Sequence, residues 1–254
     1  VRNGRLGFVV AGVQKAGTSA LFTYLTRHPS LLPPRRKEIH FFDDETGVDW
    51  ISPDYERLHS FFPSDDSERI AFEATPISIF WPNALERIAE YNPEIQIILI
   101  FRDPIERAWS HWRMEMSRGA DNVPFSYAIR NGRARLNGFA RNHPAWRTYS
   151  YVERGLYGAQ ISNLLRLFHP SKVLLLRSND LKRDPAGVLA LIARFLQISP
   201  FPIKEEIAEH VGGGAYVPPS KEDIAYLRDF YQNDMELFVD TACVNVADWP
   251  TYWR

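Results

Sequence analysis

The sequence predicts an α/β fold: a single domain with a central parallel sheet flanked by helices. Three observations carry that expectation. Four apolar, branched runs have strand length: "LGFVVAG" at 6–12, "RIAFEAT" at 69–75, "IQIILIF" at 95–101 and "KVLLLR" at 172–177. Three of them are nearly continuous in apolar character, as strands covered on both faces are. Helical patterns lie between the runs, and that alternation favours an open sheet with helices on its faces. With 254 residues, 45% hydrophobic and 13% aromatic, the chain has material for one substantial core over 1–254.

The elements follow in order. After the first run comes "TSALFTYLTRHP", which opens on hydroxyl residues and stops before Pro29, as a helix does. The second run is followed by "PNALERIAEYNP" and the third by "DPIERAWSHWRMEM". Each carries a proline near its first turn, where the missing N–H is not needed. The fourth run leads into "DPAGVLALIARFL", which has the same opening. Only 113–149 breaks the rhythm. It holds Arg113, Arg118, Arg130, Arg133, Arg135, Arg141 and Arg147 against Glu115 and Asp121. It reads either as a lid or acceptor-binding surface, or as a solvated helical excursion.

Bulk composition excludes some functions. A formal net charge of −1 argues against a nucleic-acid binder that works by overall basicity, so anion recognition must come from local clusters. No His/Cys cluster has zinc spacing, and no G-x-S-x-G nucleophile signature occurs. The single cysteine, Cys243, precludes an intrachain disulfide and fits a reducing, cytoplasmic setting. No apolar run is long enough to cross a bilayer and no signal-peptide pattern appears. The chain begins at Val1 rather than Met, which leaves an upstream leader or anchor open.

Ligands of open α/β sheets bind at the carboxyl ends of the strands, and the motifs gather there. "GVQKAGTSALFTYL" keeps the glycine spacing of a phosphate loop, with Gly12 and Gly17, and places Ser19 at its hydroxyl position. Thr18 occupies the position of the usual lysine, and the lysine has moved forward to Lys15. Backbone amides at a helix start favour a phosphate-type group; Ala16 and Gly17 admit it closely, and Lys15 adds a full charge. An ordinary strand-to-helix turn with a surface lysine is the plain alternative. "IILIFRDPIERAWSHW" offers a second anion site. Arg102 ends a buried strand, Asp103 can cap, and Ser110 follows Asp103 by seven residues, two turns along one helix face. Taken as a single arginine, Arg102 is better read as pairing with a carboxylate at the sheet edge. "RRKEIHFFDDE" gathers Lys37, Glu38, His40 and Asp43, with Phe41 and Phe42 as a dry anchor. A carboxylate beside an imidazole suits proton transfer at neutral pH, although such a charge run is often a solvated loop. If 38–42 is extended, Glu38 and His40 project to the same face.

Taken in order, "GVQKAGTSAL", "KEIHFF" and "IFRDPIERAWSHW" resemble the sulfotransferases that use 3′-phosphoadenosine 5′-phosphosulfate (PAPS). The resemblance is closest to the heparan sulfate glucosaminyl sulfotransferase branch and its bacterial relatives. It runs from about Phe8 to Phe195 and takes in "RGLYGAQISNLLRLF" and "SNDLKRDP". It implies a P-loop-like sulfotransferase fold and an enzyme that moves a sulfuryl group from PAPS, without a metal, leaving adenosine 3′,5′-bisphosphate. The acceptor would be a hydroxyl or amine of a carbohydrate or other small molecule. By resemblance Lys15 reaches the bridging oxygen between phosphate and sulfate, while Ala16, Gly17, Thr18, Ser19 and Ala20 hold the 5′-phosphosulfate. Arg102 and Ser110 correspond to the grip on the 3′-phosphate. Glu38 falls at the catalytic-base position with His40 close by. Two departures stand out. Ala74 in "FEATP" replaces a lysine, and "VGGGAYVPPSK" stands where relatives have a basic, disulfide-bounded glycine loop; there Gly213 and Gly214 offer amides and Lys221 a charge. The competing readings are a P-loop kinase or nucleotidase, which needs a lysine at 18, and a non-catalytic nucleotide-binding module.

Overall fold

The computed structural model describes residues 4–63, 68–202 and 216–252. Its backbone divides into two compact units, Val1–Phe101 with Leu164–Glu209, and Arg102–Asn163 with His210–Arg254.

The first unit holds the sheet. The four expected runs form β1 (Phe8–Gly12), β3 (Ile70–Glu73), β4 (Gln96–Phe101) and β5 (Val173–Arg177), and a two-residue strand, β2 (Leu31–Leu32), joins them. The order is β2-β3-β1-β4-β5, and every pairing is parallel. The short β2 was not legible as a strand because two leucines carry no periodicity. It pairs with Ile70 and Ala71 of β3.

The central strands explain the unbroken apolar runs. Every residue of β1 from Phe8 to Ala11, and of β4 from Ile97 to Phe101, is fully buried. Phe8 stacks on Phe72 of the neighbouring strand at a centroid distance of 4.9 Å. Each such side chain contributes roughly 1.5–3 kcal/mol by leaving water. One residue does not fit this pattern: Glu73, paired in register with Val9, sits at 0% exposure at the end of β3.

Helices of this unit are α1 (Thr18–Thr26), α2 (Tyr55–His59), α3 (Ala84–Tyr91), α8 (Ser178–Arg183) and α9 (Pro185–Leu196). The sequence signals set their ends. Asp54 caps α2 by accepting from the Glu56 amide, and Asp184 caps α9 by accepting from Gly187, with Pro185 at the first helical position.

The second unit contains α4 (Pro104–Ser117), α5 (Phe125–Ala128), α6 (Ala145–Tyr149), the start of α7 (Tyr157–Leu167) and α10 (Lys221–Ala242). Here three arginines of 113–149 have partners within the unit. Arg130 donates to Asp223 (2.5 Å) and to the Glu222 carbonyl (3.1 Å), and lies over the Tyr226 ring. Arg133 pairs with Glu153 at 2.7 Å and lies over Phe230. Arg135 grips both oxygens of buried Asp121, at 2.9 and 3.1 Å, and covers Tyr149. Cation–π stacking with a bidentate ion pair ties this stretch to its own unit.

Candidate active site

The loop after β1 lies where the strand order reverses. From β1 the chain goes to β2 and β3 on one side and then to β4 on the other. Open α/β sheets bind ligands at that reversal. A Cβ on Gly12 would stand 2.5 Å from Ile79 Cγ2 and 3.1 Å from Leu99 Cδ2, so the strand can end there only on glycine. The Val13 amide donates to the Ile100 carbonyl (2.9 Å), and Ala16 closes the turn by donating to Val13 (3.2 Å). Lys15 (φ 73°) and Gly17 (φ 92°) are both left-handed, which aims the chain into α1 with Gly17 at its cap. Among the described residues no side chain caps α1, and its first turn has no acid. The start of α1 thus offers amides and the positive end of the helix dipole, with no built-in anion to occupy them. Residues Lys15, Ala16, Gly17, Thr18, Ser19 and Ala20 form this one turn.

The charge run at 35–45 is neither extended nor simply solvated. Glu38 (φ 60°) and His40 (φ 58°) both have left-handed backbone, so the strand alternation expected for 38–42 does not apply. They meet for another reason. Phe41 and Phe42 are buried and drag the loop into the core, while Arg87 donates to the Phe42 carbonyl at 2.9 Å. The compact turn that results brings Glu38 Oε2 within 3.6 Å of His40 Nε2. The opposite ring nitrogen, Nδ1, lies 2.8 Å from Oδ2 of fully buried Asp43. Lys37 Nζ holds the other oxygen of Glu38 at 2.6 Å. Asp43, His40, Glu38 and Lys37 thus form one chain of alternating charge.

Its electrostatics follow. The Asp43 hydrogen bond, with help from Glu38, outweighs partial burial and raises the pKa of His40 to about 9. For Glu38, burial pushes upward, but the nearby His40 ring and the hydrogen-bonded charge of Lys37 prevail and lower it to about 2. His40 is 44% and Glu38 36% exposed, so the pair is accessible to a ligand and partly screened.

The cradle and this chain belong to neighbouring strands. The His40 amide donates to Thr75 Oγ1 at 3.3 Å, just beyond the end of β3, and β3 is hydrogen-bonded to β1. Strands so paired are about 4.8 Å apart. Reading the sequence for site residues missed Glu73, although a glutamate inside "RIAFEAT" is a visible anomaly in a buried run. By strict geometry neither of its carboxyl oxygens closes a hydrogen bond among the described residues, and the neighbouring Thr75 hydroxyl, near enough to favour the ionised form, only partly offsets its burial. Burial raises its pKa to about 8.

The other anion candidates lie in the second unit. Arg102 follows β4 directly, and its Nε donates to Glu106 at 2.9 Å, so the pairing with a nearby carboxylate is present. Asp103 is the helix cap as expected: Oδ1 accepts from the Ile105 and Glu106 amides, and Oδ2 from Thr251. Tyr157 pins the Arg102 carbonyl at 2.9 Å. Ser110 is half-buried on α4, about 10 Å along the axis from the Asp103 cap at 1.5 Å per residue. Lys221 is the exposed first residue of α10. Gly213 and Gly214 lie outside the described residues.

Comparison with known proteins agrees with this reading. The chain is 30% identical over 191 residues to human heparan sulfate glucosamine 3-O-sulfotransferase 6, covering 74% of this chain and 51% of that protein. It is 29% identical over 211 residues to the mouse bifunctional heparan sulfate N-deacetylase/N-sulfotransferase 4, covering 76% and 22%. The chain thus spans about half or less of these relatives. A crystal structure of a sulfotransferase from Alicyclobacillus acidocaldarius superimposes with a TM-score of 0.79 at 24% identity, covering 96% of this chain and 98% of that one, and shows the same fold. The sulfotransferase-domain profile matches residues 7–212, so this chain belongs to the sulfotransferase family.

Proposed function

We propose that this chain transfers a sulfuryl group from PAPS to a hydroxyl or amine of a carbohydrate or natural-product acceptor. One observation carries the reading. An uncapped, acid-free helix start and a solvent-accessible carboxylate–imidazole chain stand at the carboxyl ends of adjacent strands, β1 and β3. The first fits a phosphosulfate and the second a proton to be removed.

Each residue then has a task. Amides of the 16–20 turn and the hydroxyls of Thr18 and Ser19 would hold the 5′-phosphosulfate. Lys15 would stabilise the negative charge that grows on the departing phosphate, the kind of preorganised electrostatic contribution that dominates many enzymes. Arg102 and Ser110 are assigned the 3′-phosphate by family resemblance. Glu38 accepts the proton of the attacking hydroxyl or amine as the bond to sulfur forms. His40, anchored by Asp43, orients that carboxylate. With Lys37 and a cationic His40 both paired to it, Glu38 is a weak base at rest, and its basicity recovers as His40 loses its proton.

Calorimetric titration with adenosine 3′,5′-bisphosphate against ATP–magnesium tests the donor. Preferred binding of ATP–magnesium would replace this reading with a kinase or nucleotidase. A screen of hydroxyl and amine acceptors with labelled PAPS tests transfer, and donor binding without transfer to any acceptor would favour a non-catalytic module.

A further inference from the structure

We propose that Glu73 is a positioning residue of the transfer reaction, a buried carboxyl that sets how much negative charge His40 faces. The inference rests on the sulfuryl-transfer reading for its functional consequence, but its electrostatic core does not.

Glu73 is the anomaly of the sheet. It ends a strand whose other inner residues are apolar, it is 0% exposed, and the Thr75 hydroxyl is its one polar neighbour on that strand end, too poorly placed to close a hydrogen bond by strict geometry. An ionised carboxylate in that position is strongly disfavoured; a neutral acid is tolerated. Burial is accordingly the main cause of its raised pKa. Its main polar influences lie close by in the fold. Thr75, on its own strand end, lowers its pKa, and so does His40, while Asp43 and Glu38 raise it. On the adjacent strand its register partner is Val9, which is apolar.

All three of those charged groups are the site chain. The link is also covalently short: Thr75, two residues beyond Glu73, accepts the His40 amide through Oγ1 and so holds the left-handed turn that carries the imidazole. Below its pKa of about 8, Glu73 is neutral, and Asp43 and Glu38 are the leading carboxylates that hold the His40 proton. When Glu73 ionises, a third negative charge joins the cluster from its buried side and strengthens the hold of His40 on its proton. Interaction is mutual, so an imidazolium that lowers the pKa of Glu73 is itself retained to higher pH by the Glu73 carboxylate. Because Glu38 regains basicity only as His40 deprotonates, Glu73 controls the pH at which the base becomes competent.

The test uses the whole chain and two readouts. In the first, the His40 ring is titrated by NMR in wild type, Glu73→Gln and Glu73→Ala, with His40→Ala identifying the resonance. Glu73→Gln copies the neutral acid permanently, so the His40 midpoint should move down by about half a pH unit or more. An unchanged midpoint in a folded Glu73→Gln protein overturns the proposal. The second readout is the pH dependence of kcat with PAPS and an acceptor found by screening. Below the wild-type inflection Glu73→Gln, and Glu73→Ala if it folds, should raise kcat with little change in KM for PAPS, and the alkaline inflection should follow His40 downward. Failure of the inflection to move while the His40 midpoint does would remove the role in catalysis. If wild type shows no transfer at all, the sulfuryl-transfer reading falls, and the NMR arm still decides whether Glu73 governs His40.

Discussion

Glu73→Gln also makes the sharpest stability prediction. An exposed glutamate titrates near 4.5, whereas Glu73 in the folded protein titrates near 8. At about 1.4 kcal/mol per pH unit of difference, ionising it in place costs the fold about 5 kcal/mol. The sign follows from which state binds the proton. Between pH 4.5 and 8 the folded chain keeps the Glu73 proton and the unfolded chain has lost it, so this residue makes stability fall as pH rises through that window. Below 4.5 both states are protonated and the contribution vanishes; above 8 the full cost is present. Glutamine has the same shape and does not titrate. Its amide is left without partners, a constant cost of about 1–3 kcal/mol at every pH, so the slope rather than the offset carries the information. Urea denaturation followed by tryptophan fluorescence, at pH 5.5, 7 and 8.5, gives the difference between variant and wild type. That difference should shift in favour of glutamine by about 1 kcal/mol or more per pH unit up to 8 and then level off. Parallel stability profiles for the two proteins would refute the neutral buried acid, and with it the electrostatic argument for His40.

Other expectations follow from the same geometry. Glu38→Gln keeps shape but cannot take a proton, so kcat should fall by roughly 10²-fold or more while adenosine 3′,5′-bisphosphate binding survives; His40→Ala should cost less. Near-wild-type activity for Glu38→Gln with a dead His40→Ala would make the histidine the base. In wild type, kcat should climb with pH toward an inflection near 9, where His40 loses the proton that Asp43 helps it keep, and His40→Ala should abolish that inflection. A flat profile between pH 7 and 10 would contradict the pairing. Adenosine 3′,5′-bisphosphate should raise Tm well above the effect of AMP, which lacks a group for Arg102 and Ser110, and Arg102→Ala should erase the difference. Arg135→Ala removes both hydrogen bonds to buried Asp121 and should lower stability by about 3 kcal/mol, measurable by denaturation. A loss confined to acceptor KM would instead mark Arg135 as a binding residue.

Much of this protein was settled by local pattern alone. Continuous apolar runs announced four of the five parallel strands because a sheet buried on both faces admits little else. Asp-Pro openings marked α4 and α9 because cap and first-turn chemistry are local. The turn at Lys15 to Ala20 was legible from the Gly12 and Gly17 spacing, but the left-handed backbone of Lys15, a non-glycine, was not. What tertiary structure decided was pairing between residues. The meeting of Glu38 with His40 did not come from strand alternation; buried Phe41 and Phe42 folded the loop into a tight turn, and no two-residue period encodes that. The arginine excess at 113–149 reads as a lid or acceptor surface or as a solvated excursion; the sequence did not show that Arg130 and Arg133 pair with Asp223 and Glu153, carboxylates outside the stretch, and Arg135 with Asp121 inside it. Most clearly, Glu73 stands out in the sequence only as a charge in an apolar run, and its role appears once the fold removes its water and sets the site's charges against it. Charge state depends on solvent and on neighbours distant in sequence, and both exist only once the chain has folded.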